Sequence, residues 1–191
     1  MRVDADTSGG AVRPVIAFTS VRAAYGWLSN MSPHSLAVEW SARSLSGTWR
    51  TAEALFQAAR FDDPSIREEI RACRSPMQIK VVAKRGSRRM VVEQRGDLDL
   101  KQMRQVLSFK IEQHPDLRRG LLEIRPDALI VEDVTARGVT PSNVFWGAAL
   151  IKGDWVGENR LGRLWMDFRR ELAPDAEQVD MFQRCGWRQE S

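Results

Sequence analysis

Histidine and cysteine are scarce in this sequence. Its 191 residues hold two of each, His34 and His114, Cys73 and Cys185. Two histidines are too few for a His-rich metal centre or a confident His-based triad, and no Cys/His spacing matches a zinc site. The two cysteines stand too far apart to make a disulfide framework. No run of 18 apolar residues and no apolar leader core appears, so neither a membrane span nor a secreted chain is expected. A cytoplasmic, reduced setting is expected instead. Also missing are a G-x-G-x-x-G after a strand and a G-x-x-x-x-G-K-[ST] loop, the two commonest phosphate cradles. Nothing alternates strand and helix in the manner of a doubly wound sheet. Tyrosine occurs once against seven tryptophans. Any chemistry must therefore rest on carboxylates, lysines, amides and aromatics.

What is present reads as one mainly α domain with a few short strands. The length suffices for a sizeable core, and 43% hydrophobic with 28% charged residues is ordinary for a globular protein. The net charge of +4 permits an anionic ligand. Residues 1–13 are expected to be a disordered lead, 14–173 the domain, and 174–191 a polar tail. Strands are expected at Val15–Phe18, Leu36–Trp40 and Asp127–Val131, with a turn at 44–48 and an irregular stretch at 139–153. Helices are expected at 52–60 behind Thr51, at 66–72, at 76–84 behind Ser75-Pro76, at 100–112 capped by Asp99, at 115–122, and from 159 or 160 to 172.

Four groups are candidates for chemistry. Glu53 sits in the first turn of a helix beside Trp49 and Phe56, either as a solvated first-turn carboxylate or as a general acid or base. Lys80 follows the apolar Ile79 near a helix start. It is either a snorkelling surface lysine or an amine nucleophile. Glu132, Asn143, Trp146 and Gly147 combine a carboxylate, an amide, an indole and a close-approach glycine. They suit stacking on a base or sugar, or simply a loop pinned by Trp146. Asn159 opens a helix whose N-terminus could receive phosphate or could just be capped. Lys110 lies on the apolar stripe of Met103, Val106, Leu107 and Ile111. The basic run 84–89 reads as a solvated surface.

In order, these groups resemble the YbiA-like family, also called NADAR for NAD- and ADP-ribose-associated. The resemblance is carried by Leu28-Ser29-Asn30, by Trp49, Thr51, Glu53, Phe56-Gln57-Ala58 and Arg60-Phe61, and by Ser75-Pro76 with Lys80. It continues through Met103, Leu107 and Lys110, Leu129-x-Val131-Glu132, Trp146-Gly147, and Gly157-x-Asn159-x-Leu161-Gly162. It spans about residues 16–172. The resemblance implies a compact, mainly helical fold and N-glycosidase activity. The substrate it implies is an ADP-ribosylated guanine in nucleic acid or nucleotide, in a modified-base or toxin–antitoxin context. A non-catalytic ADP-ribose-binding module and a riboflavin-pathway N-glycosidase are the alternatives. It further implies Glu53 and Lys80 as catalytic, with Asn30, Trp49, Lys110, Glu132, Asn143, Trp146, Gly147 and Asn159 binding substrate, and no metal or cofactor. Two positions depart from the family pattern. Leu98 follows Asp97 where many members carry Trp, and Asn143 stands where many carry Asp.

Overall fold

The first helix, α1 (Ala52–Ala59), is the centre of the computed structural model, which describes residues 13–173. The expectations for residues 1–12 and for the tail lie outside the described residues. Thr51 lies extended, and its hydroxyl accepts the Ala54 N–H at 3.1 Å, satisfying one of the donors a helix start leaves unpaired. All eight residues of α1 are buried. Its four alanines keep the helix thin, so that α2 (Pro64–Ala72), α3 (Pro76–Arg85) and α4 (Asp97–Gln113) pack around it. Asp63 caps α2, and Ser75 with Gln78 forms a full capping box on α3.

Four further elements behave less simply than the sequence suggests. The helix α4 begins at Asp97 behind Gly96, not behind Asp99. Asp99 is drawn inward by Arg60 and is fully buried. The stretch expected as a turn at 44–48 pairs as strand β3 (Leu45–Trp49) against β2 (Leu36–Trp40). Its polar residues, Ser46 and Thr48, are set by that pairing rather than by their own apolar content. The stretch expected as irregular at 139–153 holds a short helix, which Thr140 caps, and a strand.

Strand β1 (Val15–Phe18) pairs in parallel with β4 (Leu129–Glu132), in register Phe18 to Glu132. Helix α5 (Pro115–Glu123) leads to β4. After it come α6 (Pro141–Trp146), the hairpin β5 (Ala149–Ile151) with β6 (Asp154–Val156), and α7 (Arg160–Leu172), which packs on β4. Trp49, Trp165, Phe18, Phe56 and Phe61 fill the core, and the Trp165 indole N–H donates to the Leu28 carbonyl at 3.0 Å. No helix among the described residues is long and apolar enough to cross a membrane.

Candidate active site

A cavity of about 480 Å³ opens between α1, α3, α6, the end of β4 and the turn at residues 29–31. It gathers six of the ten residues singled out from the sequence: Asn30, Glu53, Lys80, Glu132, Asn143 and Trp146. They come from parts of the chain more than a hundred residues apart.

The floor is one face of α1. Glu53, Gln57 and Arg60 follow one another at spacings of four and three, so they share a side of the helix. Gln57 Nε2 donates to Glu53 Oε1 at 3.0 Å, and Arg60 donates to Gln57 Oε1 at 3.1 Å. Arg60 also makes a bidentate pair with Asp99 at 2.8 and 2.6 Å, and its guanidinium lies 4.3 Å from the Phe56 ring centre. The direction of this chain of bonds is fixed. A guanidinium can only donate, so it holds the carbonyl oxygen of Gln57. The amide nitrogen must then face Glu53. Oε1 of Glu53 accepts from Gln57, and Oε2 makes no side-chain hydrogen bond among the described residues.

Asn30 closes one end of the floor. Its carbonyl accepts the Glu53 N–H at 2.9 Å, which caps α1 from outside. Its side-chain nitrogen lies 3.2 Å from Met103 Sδ, and Oδ1 is buried without a partner.

Glu132 forms the opposite wall. It ends β4, and Asn159 holds it there: Asn159 Oδ1 accepts the Glu132 N–H at 3.1 Å while Nδ2 donates to Ile130 O at 2.7 Å. Burial pushes the Glu132 carboxyl above the usual carboxylate range. The Arg137 guanidinium, 2.8 Å away, opposes that shift, Glu53 adds repulsion, and Lys80 adds attraction. Trp146 lies edge-on to Phe56 with ring centres 5.5 Å apart. Asn143 donates through Nδ2 to the carbonyls of Arg137 and Gly138, at 3.2 and 2.9 Å. The amide therefore anchors the loop that carries Arg137. A carboxylate there would face two carbonyl oxygens, so this departure from the family pattern matches the loop it holds.

The other four residues have different tasks. Trp49 is fully buried with the Arg71 guanidinium over its ring, 4.4 Å from the centre. It belongs to the core because β3 turns its side chain away from the cavity that Glu53 faces. Lys110 is fully buried and donates to Trp27 O, Ser29 O and Ser32 Oγ at 2.5, 2.9 and 2.8 Å. Burial lowers its pKa to about 7. Held among three oxygens, Lys110 fastens the turn that bears Asn30 and does not line the cavity. Gly147 serves a close approach: a Cβ there would stand 2.2 Å from Glu132 O. Asn159 is 1% exposed, and both polar atoms of its amide are used on β4. Gly147 and Asn159 thus set the position of Glu132 without lining the cavity.

Gln57, Arg60, Arg137, Lys84 and Ser87 line the cavity and were not named as site residues from the sequence; Lys84 and Ser87 belong to the run 84–89 that reads as a solvated surface. A signal existed for the first two, since Glu53, Gln57 and Arg60 make a polar stripe on an otherwise apolar helix. Arg137 had none, because a loop arginine five residues past Glu132 is unremarkable until the loop folds back. Leu98 is 49% exposed and lies outside the cavity wall. No group of three or more potential metal ligands occurs among the described residues.

The chain is similar to known proteins over most of its length. N-glycosidase YbiA of Shigella flexneri serotype 5b is 35% identical over 161 residues, covering 83% of this chain and 89% of the relative. N-glycosidase Npun_R5314 of Nostoc punctiforme is 31% identical over 163 residues, covering 82% and 92%. The NMR structure of Escherichia coli YbiA superposes with a TM-score of 0.62 at 31% identity, covering 100% of both chains. The NADAR domain model matches residues 17–173, and with that match over most of its length the chain belongs to the NADAR family.

Proposed function

We propose that this protein is an N-glycosidase that hydrolyses the bond between ribose and base in an ADP-ribosylated guanine, carried on a nucleic acid or a nucleotide. The observation that carries the reading is the pair of unlike carboxyl groups in one cavity. Glu132 is pushed by burial toward its protonated form, and Glu53 has one oxygen tied to Gln57 and the other free. Cleavage of an N-glycosidic bond needs a proton for the departing base and help for the water that attacks C1′. Glu132 supplies the proton to the leaving nitrogen, which takes the electron pair of the broken bond. Glu53 Oε2 accepts the proton of the attacking water. One water is consumed, and the two carboxyl groups exchange protonation states, to be reset through solvent. Trp146 offers an indole face or edge to the base or ribose.

Lys80 serves the sugar. After its ammonium gives up a proton to solvent, its amine can attack the opened C1′ aldehyde, forming an imine with loss of water. A reading as a non-catalytic ADP-ribose module would draw on Asn143 and Leu98, but Asn143 anchors a loop and Leu98 is outside the cavity wall. The test is incubation with ADP-ribosylated guanine DNA, reading released ADP-ribose, and, separately, with a ribosylaminopyrimidine phosphate, reading free base and ribose phosphate. Release from the guanine conjugate is expected. Release from the pyrimidine alone would move the substrate to the riboflavin pathway, and release from neither would overturn the enzymatic reading. Borohydride added during turnover reduces any imine, and the adduct is expected at Lys80.

A further inference from the structure

Lys84 and Ser87 line the same cavity, and the hydrolysis described above has no use for them. Lys80 and Lys84 stand four residues apart on α3, so two like charges share one side of a helix. Ile79, Val82 and Ala83 bury the other side of the helix, which sets the direction of the lysines. Of the neighbouring cations in this stretch, Arg85 pairs with Glu69 and Arg89 with Asp63, and Arg88 is exposed and does not line the cavity. The cavity's arginines are engaged as well, Arg60 by Asp99 and Arg137 by hydrogen bonds to Glu132 Oε1 and the Asp133 carbonyl. Among the described residues, Lys80, Lys84 and the Ser87 hydroxyl have neither an ion pair nor a side-chain hydrogen bond. Adjacent unpaired ammonium groups beside a hydroxyl, at the edge of a cavity, are matched by a multiply charged oxyanion.

We infer that Lys84 and Ser87 form a phosphate subsite at the cavity rim, taking a phosphoryl group attached to the ribose that Lys80 serves. The rise of α3 separates Lys80 from Lys84 by about 6 Å along the helix axis, the scale of one sugar phosphate. Lys84 contributes charge and Ser87 a hydroxyl donor. The subsite rests on the glycosidase reading for the identity of its ligand, but its affinity for a bare anion does not depend on turnover.

The experiment titrates inorganic phosphate and, separately, pyrophosphate into the full chain by calorimetry at fixed ionic strength. Lys84→Glu, Ser87→Ala and, as a remote charge control on α4, Lys101→Glu are compared. Lys84 and Ser87 are exposed, so the variants are expected to fold. Lys84→Glu is expected to weaken anion binding about tenfold or more, Ser87→Ala less, and Lys101→Glu scarcely at all. Tighter binding of pyrophosphate than of phosphate would assign the subsite to a diphosphate, and equal binding to a monophosphate. In turnover, Lys84→Glu is expected to raise KM for a phosphorylated substrate and to leave KM for its dephosphorylated form unchanged. Absence of anion binding, or a loss in Lys101→Glu as large as in Lys84→Glu, would overturn the subsite. Failure to release any base, with anion binding still lost in Lys84→Glu, would overturn the glycosidase reading and leave the subsite standing.

Discussion

The floor of the cavity and its rim are built on opposite principles. On the floor, Glu53, Gln57, Arg60 and Asp99 are all buried and joined in one directed chain of hydrogen bonds. On the rim, Lys80 and Lys84 are exposed and without partners among the described residues. A buried polar group without a partner costs free energy, so the floor can exist only if its members satisfy one another. Their geometry is thereby set before any ligand arrives. Exposed lysines are hydrated and stay mobile, so the rim keeps its charge available. The difference separates two tasks: the floor holds atoms where a reaction needs them, and the rim attracts and orients an anion.

The comparison breaks most sharply at Glu53. Glu53→Gln keeps the shape of the floor but removes the carboxylate oxygen that accepts the proton of the attacking water. Turnover is expected to fall by about two to four orders of magnitude, with the thermal midpoint nearly unchanged. A folded variant with near wild-type turnover would remove Glu53 from the chemistry.

Stability should show the floor's dependence on its pairing. Asp99→Asn leaves the Arg60 charge buried without its counterion, and unfolding in urea is expected to report a loss of about 3–5 kcal/mol. The double variant Arg60→Met with Asp99→Leu removes both charges and should recover much of that loss. Its activity should stay low, because Gln57 loses the donor that orients it toward Glu53. Recovery of activity together with stability would mean that the chain of bonds serves folding alone.

Trp146 tests the space between floor and rim. It packs edge-on against Phe56 and Phe145 but is only partly buried. Trp146→Ala should weaken ligand binding by about 1–3 kcal/mol if the indole stacks on a base. A larger loss in unfolding free energy with unchanged ligand affinity would return it to the core.

A smaller effect concerns pH. Glu132 must be protonated to act as the acid, and its pKa is raised by burial. The rate should therefore hold at low pH, so far as Glu132 governs it, and decline as pH rises through that raised pKa. Arg137 favours the ionised form, so Arg137→Met should raise the pKa further and move the declining limb to higher pH. A limb that moves downward would contradict the assignment of the acid to Glu132.

Much of the fold was legible because its signals are local. Thr51 and Ser75 with Pro76 mark helix starts through bonds to residues three positions away, whereas α2 starts at Pro64 behind Asp63, two residues before the expected Ile66. Apolar spacing marks α1 and α4 within a single helix. The elements misread were those with weak local preference. β3 is held by its register with β2, and α6 is a short helix in a stretch that reads as a loop. Asp99 looked like a cap and became a buried counterion, because the partner that claimed it is 39 residues away.

The site divides along the same line. Sequence alone determined the residue types available, carboxylates, lysines, amides and tryptophans in place of histidine or metal ligands, and the order of motifs that carries the family resemblance. Tertiary structure decided which of them share a cavity. It brought Glu132 across to Glu53, set Lys110 and Asn159 to hold backbone, sent Trp49 into the core, and added Arg60, Arg137 and Lys84. The physical reason is that the chemical type of a side chain is local, whereas its burial, partners and protonation depend on groups that only chain folding brings near.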